Sequence, residues 1–200
     1  MNDLFANKAA DWDTRPFPLQ LSAGIGAALL ARVPLRPDQT ALDFGAGTGL
    51  ITAKIADKVQ AVIAVDVSPA MLTQLAAKPE LAGKVTTVCQ NLLEQPLGQQ
   101  VDLIVSAMAM HHVQDTAALL RTLYAHLRPG GTVALADLDS EDGSFHPPGT
   151  EGVFHHGFDR ETFARDLQAV GFVKVDVQTA CSVDKDGQRY SVFLATAGKG

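Results

Sequence analysis

Apolar residues along this chain switch repeatedly between two periods, and the switching predicts alternating strands and helices. Short continuous apolar runs read as buried strands at Ala41 to Phe44, Val59 to Val65, Val85 to Val88, Val101 to Ala107 and Thr132 to Leu138. Between them the apolar positions recur at helical spacing. Ile51 and Ile55 share one face of Leu50 to Ala56, and Ser68-Pro69 opens a helix with Ser as N-cap and Pro in the first turn. Leu119, Leu120, Leu123 and Leu127 form a stripe that Pro129-Gly130-Gly131 stops, and Phe163, Leu167 and Val170 form another, ended by Gly171. Asn91 to Gln100 is short and interrupted by Pro96, so no full helix is expected there. Val173 to Gln178 and Tyr190 to Ala197 follow each other with only the turn-rich Asp184-Lys185-Asp186-Gly187 between them, which predicts an antiparallel hairpin at one end of the sheet. Leu21, Ile25 and Leu29 predict a leading helix. The sum is an α/β fold: a three-layer α/β/α sandwich on a seven-stranded, mostly parallel sheet with an antiparallel terminal hairpin.

No repeat, low-complexity tract or long linker divides the chain, so its 200 residues read as one domain. That length buries enough surface to need neither disulfide nor metal. Acidic residues outnumber basic ones by 22 to 16, without a Lys/Arg cluster, which argues against nucleic acid or an anionic membrane surface as partner. Cys89 and Cys181 lie far apart with no metal-ligand spacing. Met1 to Pro18 lacks an apolar signal core and no apolar stretch reaches membrane length, so a cytoplasmic location is expected.

The candidate chemistry begins at Leu42-Asp43-Phe44-Gly45-Ala46-Gly47-Thr48-Gly49, just after the first predicted strand. In an open parallel sheet, ligands bind beyond the carboxyl ends of the strands where the strand order reverses, and glycines there let the backbone come close. The spacing is Gly-x-Gly-x-Gly, with Leu50 where a dinucleotide fingerprint places its third glycine. Asp43 sits two residues before the first glycine, where a carboxylate repels a pyrophosphate and suits a cationic ligand. Asp66 follows at the distance of an acid that holds ribose hydroxyls, which fits nicotinamide and adenosyl cofactors alike.

From about Ala41 onward the sequence resembles the class I methyltransferases that use S-adenosylmethionine, which carry a Rossmann-like fold. The glycine segment resembles the family's first motif, implying that Asp43, Gly45, Ala46, Gly47, Thr48 and Gly49 surround the methionine part of the cofactor. Asp66 resembles the ribose-binding acid, with Val67, Ser68 and Met71 near the adenosine. Asn91 and Leu92 fall at the adenine position, where the family usually has an Asp in place of Asn91. Val101 to Ser106 and Leu127 to Gly131 resemble the fourth motif and the loop before the fifth strand. The resemblance implies methyl transfer to a small-molecule acceptor through an O, N or C nucleophile, with S-adenosylhomocysteine as product. Residues 1–35 are expected to cap the cofactor, with Trp12, the only tryptophan, sealing it or stapling the terminus.

Methyl transfer needs an aligned, dehydrated nucleophile, and a base only where the acceptor must lose a proton. His111 and His112, just beyond the fourth strand, are the candidate catalytic residues; the competing use is an imidazole that packs at the sheet edge. The segment 139–158 is expected to lie over the acceptor, with His155, His156 and Asp137 in its pocket, while Asp159 can equally cap the helix that begins at Arg160. A metal reading gathers His111, His112, His146, His155, His156 and Asp137, but neither His-His pair has helical i, i+4 spacing and no cysteine joins them, so no metal is expected. Two other readings use the same glycines: a non-catalytic protein that holds the adenosyl cofactor, and a nicotinamide-dependent oxidoreductase, which the glycine spacing and Asp43 disfavour.

Overall fold

The structure, a computed structural model, describes residues 3–200. Helix α1 (Pro16–Arg32) leads, followed by β1 (Thr40–Phe44), α2 (Thr52–Ile55), β2 (Ala61–Asp66), α3 (Pro69–Ala76), β3 (Val85–Cys89), β4 (Val101–Ala107), α4 (Thr116–His126), β5 (Leu127–Leu138), α5 (Arg160–Val170), β6 (Phe172–Lys185) and β7 (Gln188–Lys199). The strands form one sheet in the order β3-β2-β1-β4-β5-β7-β6, parallel except for β7. The order reverses between β1 and β4, whose register pairs Phe44 with Ser106. That switch point puts the glycine segment and the end of β4 at one crevice.

Both faces of the sheet are covered, which is why its inner strands are apolar throughout rather than alternating. Leu42, Ile63, Ile104, Val133 and Leu135 point to the side of α4 and α5, where they meet Leu119, Leu123, Phe163 and Leu167. Their neighbours Ala41, Val62, Ala64, Leu103 and Ala134 point to the other side, against Leu21, Ile25 and Leu29 of α1, Ile55 of α2 and Leu72 and Leu75 of α3. Among the described residues no helix is long and apolar enough to cross a membrane.

The predicted elements are present with corrected edges. Leu127-Arg128-Pro129-Gly130-Gly131 is not a loop after a helix: α4 ends at His126 and this stretch already runs in β5. A register shift absorbs it, since Val101 pairs with Leu127 but Leu103 with Thr132. The terminal hairpin is far longer than Val173 to Gln178 and Tyr190 to Ala197, and its turn shrinks to Asp186-Gly187 between the paired Lys185 and Gln188. Both turn residues have positive φ, 51° and 81°, as a two-residue hairpin requires. Residues 3–35 do not form one helical cap. Only Asp3 to Thr14, a run of turns ending in the 3-10 turn Trp12–Thr14, reaches the crevice, whereas α1 packs in the sandwich beside β6 and β7.

Candidate active site

The backbone after β1 folds back on β2. The amides of Gly45 and Ala46 both donate to the Val65 carbonyl, at 2.9 and 3.0 Å. Gly45 has φ 69°, and a Cβ on it would stand 2.3 Å from that of Ala109, so no other residue fits. The Gly47 amide donates to Oδ2 of Asp66 at 2.7 Å, and the Ser68 amide donates to Oδ1 at 2.8 Å. One carboxylate therefore ties the glycine loop to the tip of β2. Burial pushes its pKa up while these amides pull it down. At Gly47, with φ 54°, the Cβ direction is open space.

Asp43 lies beneath the loop. It is 1% exposed and its Oδ2 accepts from the Thr52 hydroxyl at 2.6 Å. Burial raises its pKa to about 7, and the Thr52 hydrogen bond opposes that rise. Two carboxylates, one buried without a cationic partner among the described residues, beside the open space at Gly47 make an acceptor set for an ammonium group and sugar hydroxyls, not for phosphate.

Around this loop the other expected cofactor residues divide. Ser68 caps α3 through the Met71 amide at 3.1 Å, and Val67 is exposed. Asn91 turns inward locally, with Oδ1 accepting from the Leu93 amide and Nδ2 donating to Glu94, and Leu92 is fully buried in the core. Ser106 is also buried, and its hydroxyl donates to the Phe44 carbonyl at 2.9 Å, which joins β4 to β1 at the crevice. Thr48 donates to Oδ1 of Asp13 at 2.5 Å, and Oδ2 of Asp13 pairs with Lys78 at 2.6 Å. Asp3 accepts from the Ser68 hydroxyl at 2.9 Å. The segment from Asp3 to Thr14 is thus tied down at both ends across the crevice. Phe5 in its middle stands edge-on to Trp12 and to His112.

Beyond β4 the 3-10 turn Met110–His112 is hung from Asp137. Oδ2 of Asp137 accepts from the amides of Met110 and His111 at 2.9 and 3.2 Å, and Oδ1 accepts from the Leu138 amide and faces Nδ1 of His111 at 2.7 Å. Asp137 is wholly buried, so it does not line an acceptor pocket; it aims His111. His112 Nδ1 faces the Gly152 carbonyl at 2.7 Å, and Nε2 of His146 lies 3.2 Å from Nε2 of His111. Burial, reinforced by the neighbouring His111, lowers the pKa of His112 and of His146 to about 4, so both are neutral at pH 7.

The loop 139–158 meets this turn through Gly152 and His146. His155 turns its Nε2 to the Val113 carbonyl at 2.9 Å, and His156 is exposed, 3.5 Å from Glu141. Asp159 caps α5 by accepting from the Thr162 amide at 2.9 Å. His146, Asp3, Phe5, Asp13 and Thr52 were not singled out as cofactor or acceptor residues. Only Thr52, nine residues after Asp43 and just past the glycines, carried a signal that could have found it.

Residues 41–131 match the methyltransferase domain family model. The chain is 38% identical over 112 residues to trans-aconitate 2-methyltransferase of Methylobacterium radiotolerans, covering 54% of this chain and 42% of that one. It is 32% identical over 136 residues to the biotin biosynthesis bifunctional protein BioHC of Cellvibrio japonicus, covering 67% and 26%. The chain therefore spans less than half the length of these curated relatives. In structure it resembles a chain of the complex between the Haloferax volcanii Trm112 methyltransferase activator and a methyltransferase, with TM-score 0.79, 18% identity and coverage of 99% and 98%. It also resembles the N-methyltransferase NodS from Bradyrhizobium japonicum, solved with S-adenosyl-L-homocysteine, with TM-score 0.73, 15% identity and 99% coverage of each chain. With the motifs in order and the matching strand topology, residues 41–131 carry a methyltransferase domain on the fold of the S-adenosylmethionine-dependent methyltransferases.

Proposed function

We propose that this protein binds S-adenosylmethionine at the glycine loop and transfers its methyl group to a small-molecule acceptor. The observation that carries the reading is Asp66, whose two oxygens receive the Gly47 and Ser68 amides beside the open space at Gly47. Held so, the carboxylate keeps lone pairs for ribose hydroxyls. Asp43 supplies negative charge for the ammonium, and Ser68, Met71, Val67 and the backbone around Asn91 and Leu92 flank the adenosine.

The bound cofactor supplies a sulfonium methyl, which leaves sulfur as the bond to the acceptor forms. The chain's part is to align the partners and exclude water. Phe5 and Trp12, drawn over the crevice by Asp3 and Asp13, provide the cover. His111, His112 and His146 form the acceptor end, because His155 and His156 are turned elsewhere. The acidic balance and the relative named as a trans-aconitate methyltransferase support a small acceptor rather than nucleic acid. The two free cysteines fit a cytoplasmic enzyme.

Asp66→Ala tests the assignment. Loss of hydrogen bonds to a charged group should weaken S-adenosylhomocysteine binding by at least ~1 kcal/mol, read by calorimetry. Unchanged affinity in a folded variant would contradict it.

A further inference from the structure

The geometry points to a second site: a zinc-class divalent cation held by His111, His112 and His146, with one coordination position left open. Sequence spacing argues against a metal because the His-His pairs are adjacent rather than i, i+4. The fold overrides that argument by bringing His146 in from the β5–α5 loop, 35 residues away. One ring nitrogen from each of the three lies within 4.8 Å of the other two. Two nitrogens bound to one tetrahedral zinc, each at about 2.0 Å, stand roughly 3.3 Å apart. His111 and His146 already present their Nε2 atoms at 3.2 Å.

Two of the three histidines, His111 and His112, have the outer contacts a metal site needs. A ligating imidazole is oriented by a carboxylate or carbonyl on its other nitrogen, which fixes the tautomer and leaves a lone pair for the metal. His111 has Asp137 on Nδ1 at 2.7 Å, and His112 has the Gly152 carbonyl on Nδ1 at 2.7 Å. Each is left with Nε2 as its lone-pair nitrogen. Asp137 is itself held by three backbone amides, so its charge is fixed opposite the cation. Three imidazoles and an open fourth position form a catalytic rather than a structural zinc set.

The open position would take an oxygen of the acceptor, a hydroxylate or carboxylate, which narrows the acceptor to an oxygen-bearing molecule; that last step alone rests on the methyl-transfer reading. Ligation and proton abstraction by His111 exclude each other, because Nε2 has one lone pair. The alternative arrangement is a plain hydrogen bond between the two Nε2 atoms, with a proton on His146.

The test is calorimetric titration of chelator-treated full-length protein with zinc chloride, paralleled by cobalt(II) followed through its visible absorption. One equivalent of zinc should bind, and cobalt should develop the intense bands of a four-coordinate ion. His146→Ala and His112→Ala should each lower zinc affinity at least tenfold, Asp137→Asn should lower it in the same direction, and His156→Ala on the same loop should leave it unchanged. Thermal melts and S-adenosylhomocysteine binding of each variant establish that it is folded. Absence of stoichiometric zinc binding, or binding undiminished in folded His146→Ala, would overturn the site and return His111 to the role of a base. Zinc binding without adenosyl binding would overturn the methyl-transfer reading and leave the metal site standing.

Discussion

Asp43 and Asp137 are both buried aspartates at strand ends, and their surroundings give them opposite uses. Asp137 is saturated by backbone amides and an imidazole, so it builds the turn that carries His111. Asp43 has one strong donor, Thr52, and a pKa raised to about 7 by burial. Because the folded pKa lies above that of an unfolded Asp, the chain is most favoured with this group protonated. Its contribution is present below pH 4 and lost as the pH rises to about 7. Asp43→Asn should therefore match the parent in stability near pH 4 and exceed it above pH 7, by on the order of 3 kcal/mol. Urea unfolding at the two pH values reads this directly. A stability difference that does not change with pH would show that Asp43 is held by an unseen cation or open to solvent. Asp43 was legible from its place before the glycines. The role of Asp137 was not, because its partners His111 and Met110 are 26 and 27 residues away and no local pattern announces them.

At the scale of elements, apolar runs located the inner strands β1, β2, β4 and β5, because strands covered on both faces must be apolar at every position. Their ends were less visible. Leu127 to Gly131 looked like a helix stop because Pro and Gly usually end helices; here the bulge against β4 absorbs them within a strand. The second half of β6, Thr179-Ala180-Cys181-Ser182-Val183-Asp184-Lys185, is mixed in polarity and lacks an apolar run, although pairing with β7 keeps it extended to Lys185. The segment Asp3 to Thr14 was least legible. It owes its course to contacts 35 and 65 residues away, Asp13 with Thr48 and Asp3 with Ser68. Trp12 reports on it as the chain's only tryptophan. Saturating S-adenosylhomocysteine should change Trp12 fluorescence, and Asp13→Ala should release bound ligand several-fold faster in stopped flow. Identical emission with and without ligand, together with an unaltered off-rate, would separate this segment from the site.

Over the whole molecule, the switch point between β1 and β4 explains why so much converges on one edge. The glycine loop, Asp66 and the turn bearing His111 leave neighbouring strand ends, and the two least regular stretches, residues 3–14 and 139–158, meet where Leu4 lies against Gly152. The cofactor half of the site was readable because its residues are close in sequence to the strands that place them. The acceptor half was not, because His146 and Gly152 arrive on a loop whose path only the folded chain defines. The most direct test of the central claim is calorimetric titration of the full chain with S-adenosylmethionine, S-adenosylhomocysteine and NAD. The account predicts one adenosyl ligand bound per chain at micromolar concentrations and no heat from NAD. Binding of NAD, or of none of the three, would contradict it.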